Sequence, residues 1–179
     1  MKYLSCGFVL AAVFVLAGCT VSLQPFYSQD VIVDDPTVTG RWTDGETTWD
    51  VTRTAPGHYT IATCEDGQPC KPDTVGVLFK TAGVTFLDFQ EKSEGMFSTA
   101  IHPHGLFKVH SRGDELELSL FDNNRLAVLA GQHRLDTDYA ELDSAVLLTG
   151  NPRKLQKFVV EQLSDPRAFA ETTRLQRPD

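Results

Sequence analysis

Glu115-Leu116-Glu117-Leu118-Ser119-Leu120-Phe121 is the stretch that decides the fold. Leucine takes every second position, and Glu or Ser fills the positions between. Side chains of a strand alternate between two faces, so this period puts leucine on one face and polar groups on the other. The pattern is that of an antiparallel sheet with one packed face and one wet face. Immediately upstream, residues 106–110 read as a strand across the turn Arg112-Gly113-Asp114. Further back, residues 75–80 and 84–89 flank Ala82-Gly83, a tight hairpin turn. Residues 47–52 and 58–63, rich in β-branched and aromatic side chains, flank Ala55-Pro56-Gly57. Strands at this even spacing predict a mainly β domain, an antiparallel β-barrel or sandwich. Trp42, Trp49, Phe79, Phe86, Phe89, Phe107 and Phe121 fall on or beside these strands and are expected to fill its interior.

Downstream of Phe121 the period changes. Asp122 can cap a helix, and Leu126, Leu129 and Ala130 fall at helical spacing, which predicts one or two helical turns over 122–130 across an end of the sheet. Residues 134–137 and 145–149 read as short strands. The clearest helix spans 151–163. Asn151 is its N-cap, Pro152 takes the first helical position, and Leu155, Phe158, Val159 and Leu163 form one apolar stripe. This C-terminal helix is expected to dock on the sheet. Asp165-Pro166 restarts a short helix containing Phe169, and 172–175 reads as a closing strand.

The N-terminus has a different character. Lys2 supplies one positive charge, and Phe8 to Ala17 is an unbroken apolar run. That run is too short for a bilayer, which needs ~20 apolar residues. With small residues after it, it fits a secretory signal peptide over 1–18. Residues 19–36 have no period and read as a tether that becomes ordered, with Pro25-Phe26-Tyr27 packing on the domain. Residues 37–179 form a single β-rich domain. Removing 1–18 takes away Lys2 and no acid, leaving 15 basic against 24 acidic residues, a net charge of −9. An acidic chain without a basic cluster argues against a nucleic-acid partner.

Cys64 and Cys70 flank Glu65-Asp66-Gly67-Gln68-Pro69, a turn-forming segment. In an oxidising compartment this even pair reads as a disulfide across a hairpin loop. Closing so short a loop is worth about 2 kcal/mol in the chain-entropy account. The spacing is not the Cys-x-x-Cys of a redox motif, and no His lies close enough in sequence to make a metal site. His102, His104 and His110 are the densest imidazole cluster. With His58 or His133 they could offer zinc three nitrogens, but a surface loop plus one half-buried strand histidine is the simpler reading. No Gly-x-Ser-x-Gly surrounds Ser98, Ser111, Ser119 or Ser144, and no glycine-rich phosphate loop occurs. Glu65-Asp66 and Asp34-Asp35 read as solvated turns. No catalytic set emerges, and no cofactor or metal is expected.

Leu16-Ala17-Gly18-Cys19 resembles the lipobox of bacterial lipoproteins. The resemblance implies that the Cys19 sulfur carries a diacylglycerol and that the chain is cut before it. Thr20, in place of an Asp after the cysteine, implies export to the Gram-negative outer membrane, facing the periplasm. The covalent lipid would then be the anchor. Pro36-Thr37-Val38-Thr39-Gly40-Arg41-Trp42, Thr48-Trp49-Asp50, Phe86-Leu87-Asp88 and Leu155-Gln156-Lys157-Phe158 resemble motifs of uncharacterised Gram-negative-type lipoproteins, a group that implies fold and location but no activity. A weaker resemblance is to lipocalins, in Gly40-Arg41-Trp42 and Thr137-Asp138-Tyr139. It implies a lipocalin-like barrel, with Trp42 plugging one end, and Trp42 and Trp49 as candidate ligand-binding residues. The expected function is a non-enzymatic envelope lipoprotein, held at the membrane, that binds another envelope protein or supports assembly. The alternative is a lipocalin-like carrier of a small apolar ligand.

Overall fold

The structure, a computed structural model, describes residues 22–64, 70–92, 102–142 and 145–178. The expected signal segment, Cys19, the expected turn at 65–69, Ser98 and Ser144 lie outside the described residues.

Seven strands run up and down in chain order: β1 (Gly40–Thr43), β2 (Thr48–Ala55), β3 (His58–Cys64), β4 (Lys71–Thr81), β5 (Val84–Glu91), β6 (Gly105–Arg112) and β7 (Glu115–Leu120). The chain then leaves the sheet. It forms helix α1 (Asn123–Gly131), a separate hairpin of β8 (Tyr139–Leu142) and β9 (Ala145–Leu148), and helix α2 (Pro152–Gln162). It returns as β10 (Glu171–Gln176), which inserts between β7 and β1. The result is a closed antiparallel barrel of eight strands, in the order β1-β10-β7-β6-β5-β4-β3-β2. Closure removes the free edges that a sandwich would leave.

The alternation read from 115–121 holds. Leu116 and Leu118 point into the barrel with Val51, Ile61, Leu78, Leu87, Val109 and Leu175. The aromatic residues divide differently from expectation. Trp42, Trp49 and Phe107 belong to the interior, and Phe89 stacks on Phe107 with ring centroids 4.8 Å apart. Phe79, Phe86 and Phe121 instead form a second core on the outside of the barrel, with Phe26, Leu126, Leu129, Leu155 and Phe158. The cause is parity: Leu78 and Leu87 face in, so their neighbours Phe79 and Phe86 must face out. The outer face of β4, β5 and β6 is therefore buried under the helices and the hairpin.

Local chemistry sets the helix ends. The Asp122 side chain accepts from Asn124 N at 2.8 Å, and Asn151 Oδ1 accepts from Lys154 N at 3.1 Å. Each satisfies one of the donors that a helix start leaves free. Leu155, Phe158 and Val159 are buried as the stripe predicts, while Leu163 is half-buried and Gln162 shares the inner face.

Two expectations change. Residues 134–137 are a connection, not a strand. His133 turns the chain with φ 53° after α1, and Asp138 O then accepts from Thr149 N and Gly150 N. Asp165-Pro166 opens a turn and not a helix, in which Asp165 accepts from Arg167 N and Ala168 N. The segment expected to become ordered after a tether is built into the domain from Ser22 onward, because its backbone finds partners on the barrel.

Candidate functional site

The segment 22–38 lies along the barrel as a strap, fixed at four places. At its start, Ser22 exchanges backbone hydrogen bonds with His104, at 3.1 and 2.7 Å. Ser22 Oγ and Leu23 N both donate to Leu148 O. Midway, Phe26 is buried in the outer core, and its N–H donates to Asp88 Oδ2 at 2.7 Å. The other oxygen of Asp88 lies 2.6 Å from His104 Nδ1. Asp88 and His104 are 2 % and 8 % exposed, so this is a buried polar pair set against the outer core. Burial pushes the Asp88 carboxyl up from its ordinary value, against the His104 ring and the Phe26 N–H, which favour the carboxylate. At the far end Val33 N donates to Leu78 O.

Asp34 and Asp35 then bind the strap to the β2–β3 hairpin. Arg53 grips Asp34 through two nitrogens, at 2.8 and 2.6 Å, and Gly57 N donates to the same carboxylate at 2.9 Å. Those donors hold the Asp34 carboxyl down at about 2. Asp35 N donates to Tyr59 Oη, and Tyr59 Oη donates back to Asp35 O. Gly57 has φ 74°, and a Cβ there would sit 2.4 Å from Ile32 Cγ2, so only glycine lets the strap pass this close. Asp34 is exposed to solvent as the sequence predicts, and the Asp34-Asp35 pair also clamps the strap to the hairpin.

The barrel end behind this clamp is latched. A short 3-10 turn, Pro36–Val38, leads into β1. Trp42 is 0 % exposed, and its Nε1 donates to Val38 O at 2.9 Å. The Arg177 guanidinium stands 4.2 Å from the Trp42 ring centroid and donates to Thr37 O and Thr39 O. Gly40 has φ 110°, and a Cβ there would lie 2.6 Å from Arg177 Nη1. Gly40, Trp42 and Arg177 therefore act as one unit. They reinforce the seam, where β10 meets β1 at a single register pair among the described residues, Thr43 with Gln176.

Of the two candidate ligand-binding tryptophans, Trp42 is used up by this latch. Trp49 is half-buried, stands edge-on to Phe107 at 6.5 Å between centroids, and lines the barrel's internal cavity. That cavity is apolar, bounded also by Val51, Tyr59, Leu87, Val109 and Leu118, and its volume is about 20 Å³. It has room for roughly one water-sized sphere, whereas sites for drug-sized ligands run to ~300–1,000 Å³.

At the opposite end of the barrel from the latch, Cys64 and Cys70 form a disulfide with Cα atoms 4.3 Å apart. The histidines disperse. His104 turns inward to Asp88, His110 is exposed on β6, and His58 Nδ1 lies 2.9 Å from Pro56 O. Among the described residues no three His, Cys, Asp or Glu side chains cluster as a metal site would require. Sequence reasoning missed Asp88 and Arg177. Asp88 carried a signal, an acid in a strand whose Phe86-Leu87 pair already marked both faces as buried. Arg177 carried none, since only barrel closure brings it to Trp42. No protein-family model, no curated protein and no solved structure matches this chain.

Proposed function

We propose that this chain is a lipid-anchored lipoprotein of the cell envelope, without enzymatic activity, that works through its outer surface as a binding or structural module. Cys19 carries the lipid, residues 1–18 are removed, and the domain sits on the periplasmic side of the outer membrane. Its partner would be another envelope protein. The observation that carries the surface reading is the barrel interior, filled by its own side chains down to about 20 Å³. The alternative, a carrier of a small apolar ligand, would need more than ten times that volume. Lipobox chemistry supports the anchor: several acyl chains at ~0.8 kcal/mol per buried CH₂ hold a protein to a bilayer almost irreversibly. Among the described residues no helix is long and apolar enough to cross a membrane.

Cys19→Ala tests the anchor. The thiol is the acceptor, so the variant is expected to stay unprocessed and to lack the acyl mass carried by the parent. A variant that is still cleaved, and still partitions with outer membranes as the parent does, would contradict the reading.

A further inference from the structure

We infer that the exposed face of α1 and the Leu142 end of β8 rest on the lipid headgroup surface to which Cys19 holds the protein. This rests on the anchor reading and adds an orientation to it. Ser22 is locked to the barrel by backbone pairing with His104 and to β9 by Leu148. Cys19 is three residues earlier, so its Cα lies within about 10 Å of Ser22. So short a link leaves the domain no freedom to stand off the bilayer or to turn its far side to it.

The surface beside that point has the chemistry of a membrane contact. The exposed large apolar side chains among the described residues are Val128, 46 % exposed, and Leu142, 56 % exposed. Val128 is on α1, which packs against β9, and Leu142 ends β8 opposite Ala145 of β9. Ala145 is three residues from Leu148, about 10 Å along the strand. Both exposed side chains thus belong to the elements next to the Ser22 pairing point. Charge agrees. From Asn123 to Leu135 the sequence holds no acidic residue, although the mature chain has a net charge of −9. The exposed α1 positions are Asn124, Ala127, Val128 and Gly131, followed by Gln132, His133 and Arg134. An acidic protein is repelled by anionic headgroups, and this helix adds no carboxylate of its own to that repulsion. Glu141, exposed next to Leu142 on β8, favours a contact at headgroup level and not in the acyl layer.

The test uses the full lipidated protein in vesicles of phosphatidylethanolamine and phosphatidylglycerol. A fluorophore is placed on an introduced cysteine at Val128→Cys, Leu142→Cys or, as control, Thr52→Cys. Thr52 is exposed on β2, which stands across the barrel from β6. Cys64 and Cys70 are bonded to each other and do not compete for label. Nitroxide-headgroup lipids are expected to quench the labels at 128 and 142 strongly, and to leave the label at 52 near its value without nitroxide. A flexible Gly-Ser insertion after Thr20 should abolish that difference. Equal quenching at all three positions, in protein whose acyl mass is confirmed, overturns the orientation alone. Protein without acyl mass overturns the anchor reading and this inference with it.

Discussion

Arg177 shows how much of this barrel depends on single side chains outside the strands. Its guanidinium covers Trp42 and donates to the Thr37 and Thr39 carbonyls, at a seam where, among the described residues, the ladder contributes one register pair. A cation over an indole is worth about 0.5–2 kcal/mol, and hydrogen bonds to charged groups about 1.5–3. Arg177→Ala should therefore lower the unfolding free energy by roughly 1–3 kcal/mol in chemical denaturation. Arg177→Lys should recover only part of it, because an ammonium lacks the planar fork. The Gly40-x-Trp42 half of the latch is the tripeptide whose resemblance to lipocalins implies a barrel plug, so sequence at least drew attention to it. The cationic half of the latch was not legible, because closure by the last strand is a property of topology. Asp34 gives a pH prediction. Its carboxyl falls from 3.8 to about 2 in the fold, so the stability it contributes is complete above about pH 4 and is lost as pH falls through 2. Thermal unfolding of Asp34→Asn should show the largest deficit against the parent above pH 4, shrinking toward zero near pH 2. A deficit that stays constant across that range would mean the Arg53 clamp does not hold the carboxylate.

At the scale of elements, the strands with one wet face were the most readable. Residues 115–120 alternate strictly, and they form β7. The segments that misled were those whose surroundings are built by distant residues. Residues 134–137 carry β-compatible side chains but have no neighbouring strand to pair with, so the backbone bonds go to a connection. β4 and β5 carry consecutive apolar residues, Leu78-Phe79 and Phe86-Leu87, a run that already implied burial on both faces. Reading them for the interior alone hid the second core. α2 was legible because cap, proline and stripe agree. Phe158 is 1 % exposed and stands edge-to-face with Phe121, centroids 5.9 Å apart. Phe158→Ala should cost about 3–5 kcal/mol, read as a lower denaturation midpoint at unchanged slope. An unchanged midpoint would place the helix off the barrel. The Cys64–Cys70 bridge closes a loop of few residues at one barrel end. Reduction should lower the melting temperature by the equivalent of roughly 2 kcal/mol and leave the far-UV signal of the barrel intact. Two free thiols titrated in folded, unreduced protein would contradict the bridge.

The molecule as a whole is a barrel packed twice, inside by leucine, valine and tryptophan and outside by phenylalanine beneath two helices and a strap. The class of fold could be read from the period of the strands, and the barrel could not be told from a sandwich because strand order is set by pairings distant in sequence. Whether the interior was hollow was likewise beyond the sequence, since it depends on which of two adjacent apolar residues each strand turns inward. The central claim is that the filled interior moves function to the surface. The most direct measurement is equilibrium titration of the folded protein with an apolar fluorescent probe, monitored by probe emission and by Trp49. The account predicts no saturable binding, because about 20 Å³ admits no such molecule. Saturable one-to-one binding, abolished by Trp49→Ala in a variant that remains folded, would contradict it and make the carrier the correct reading.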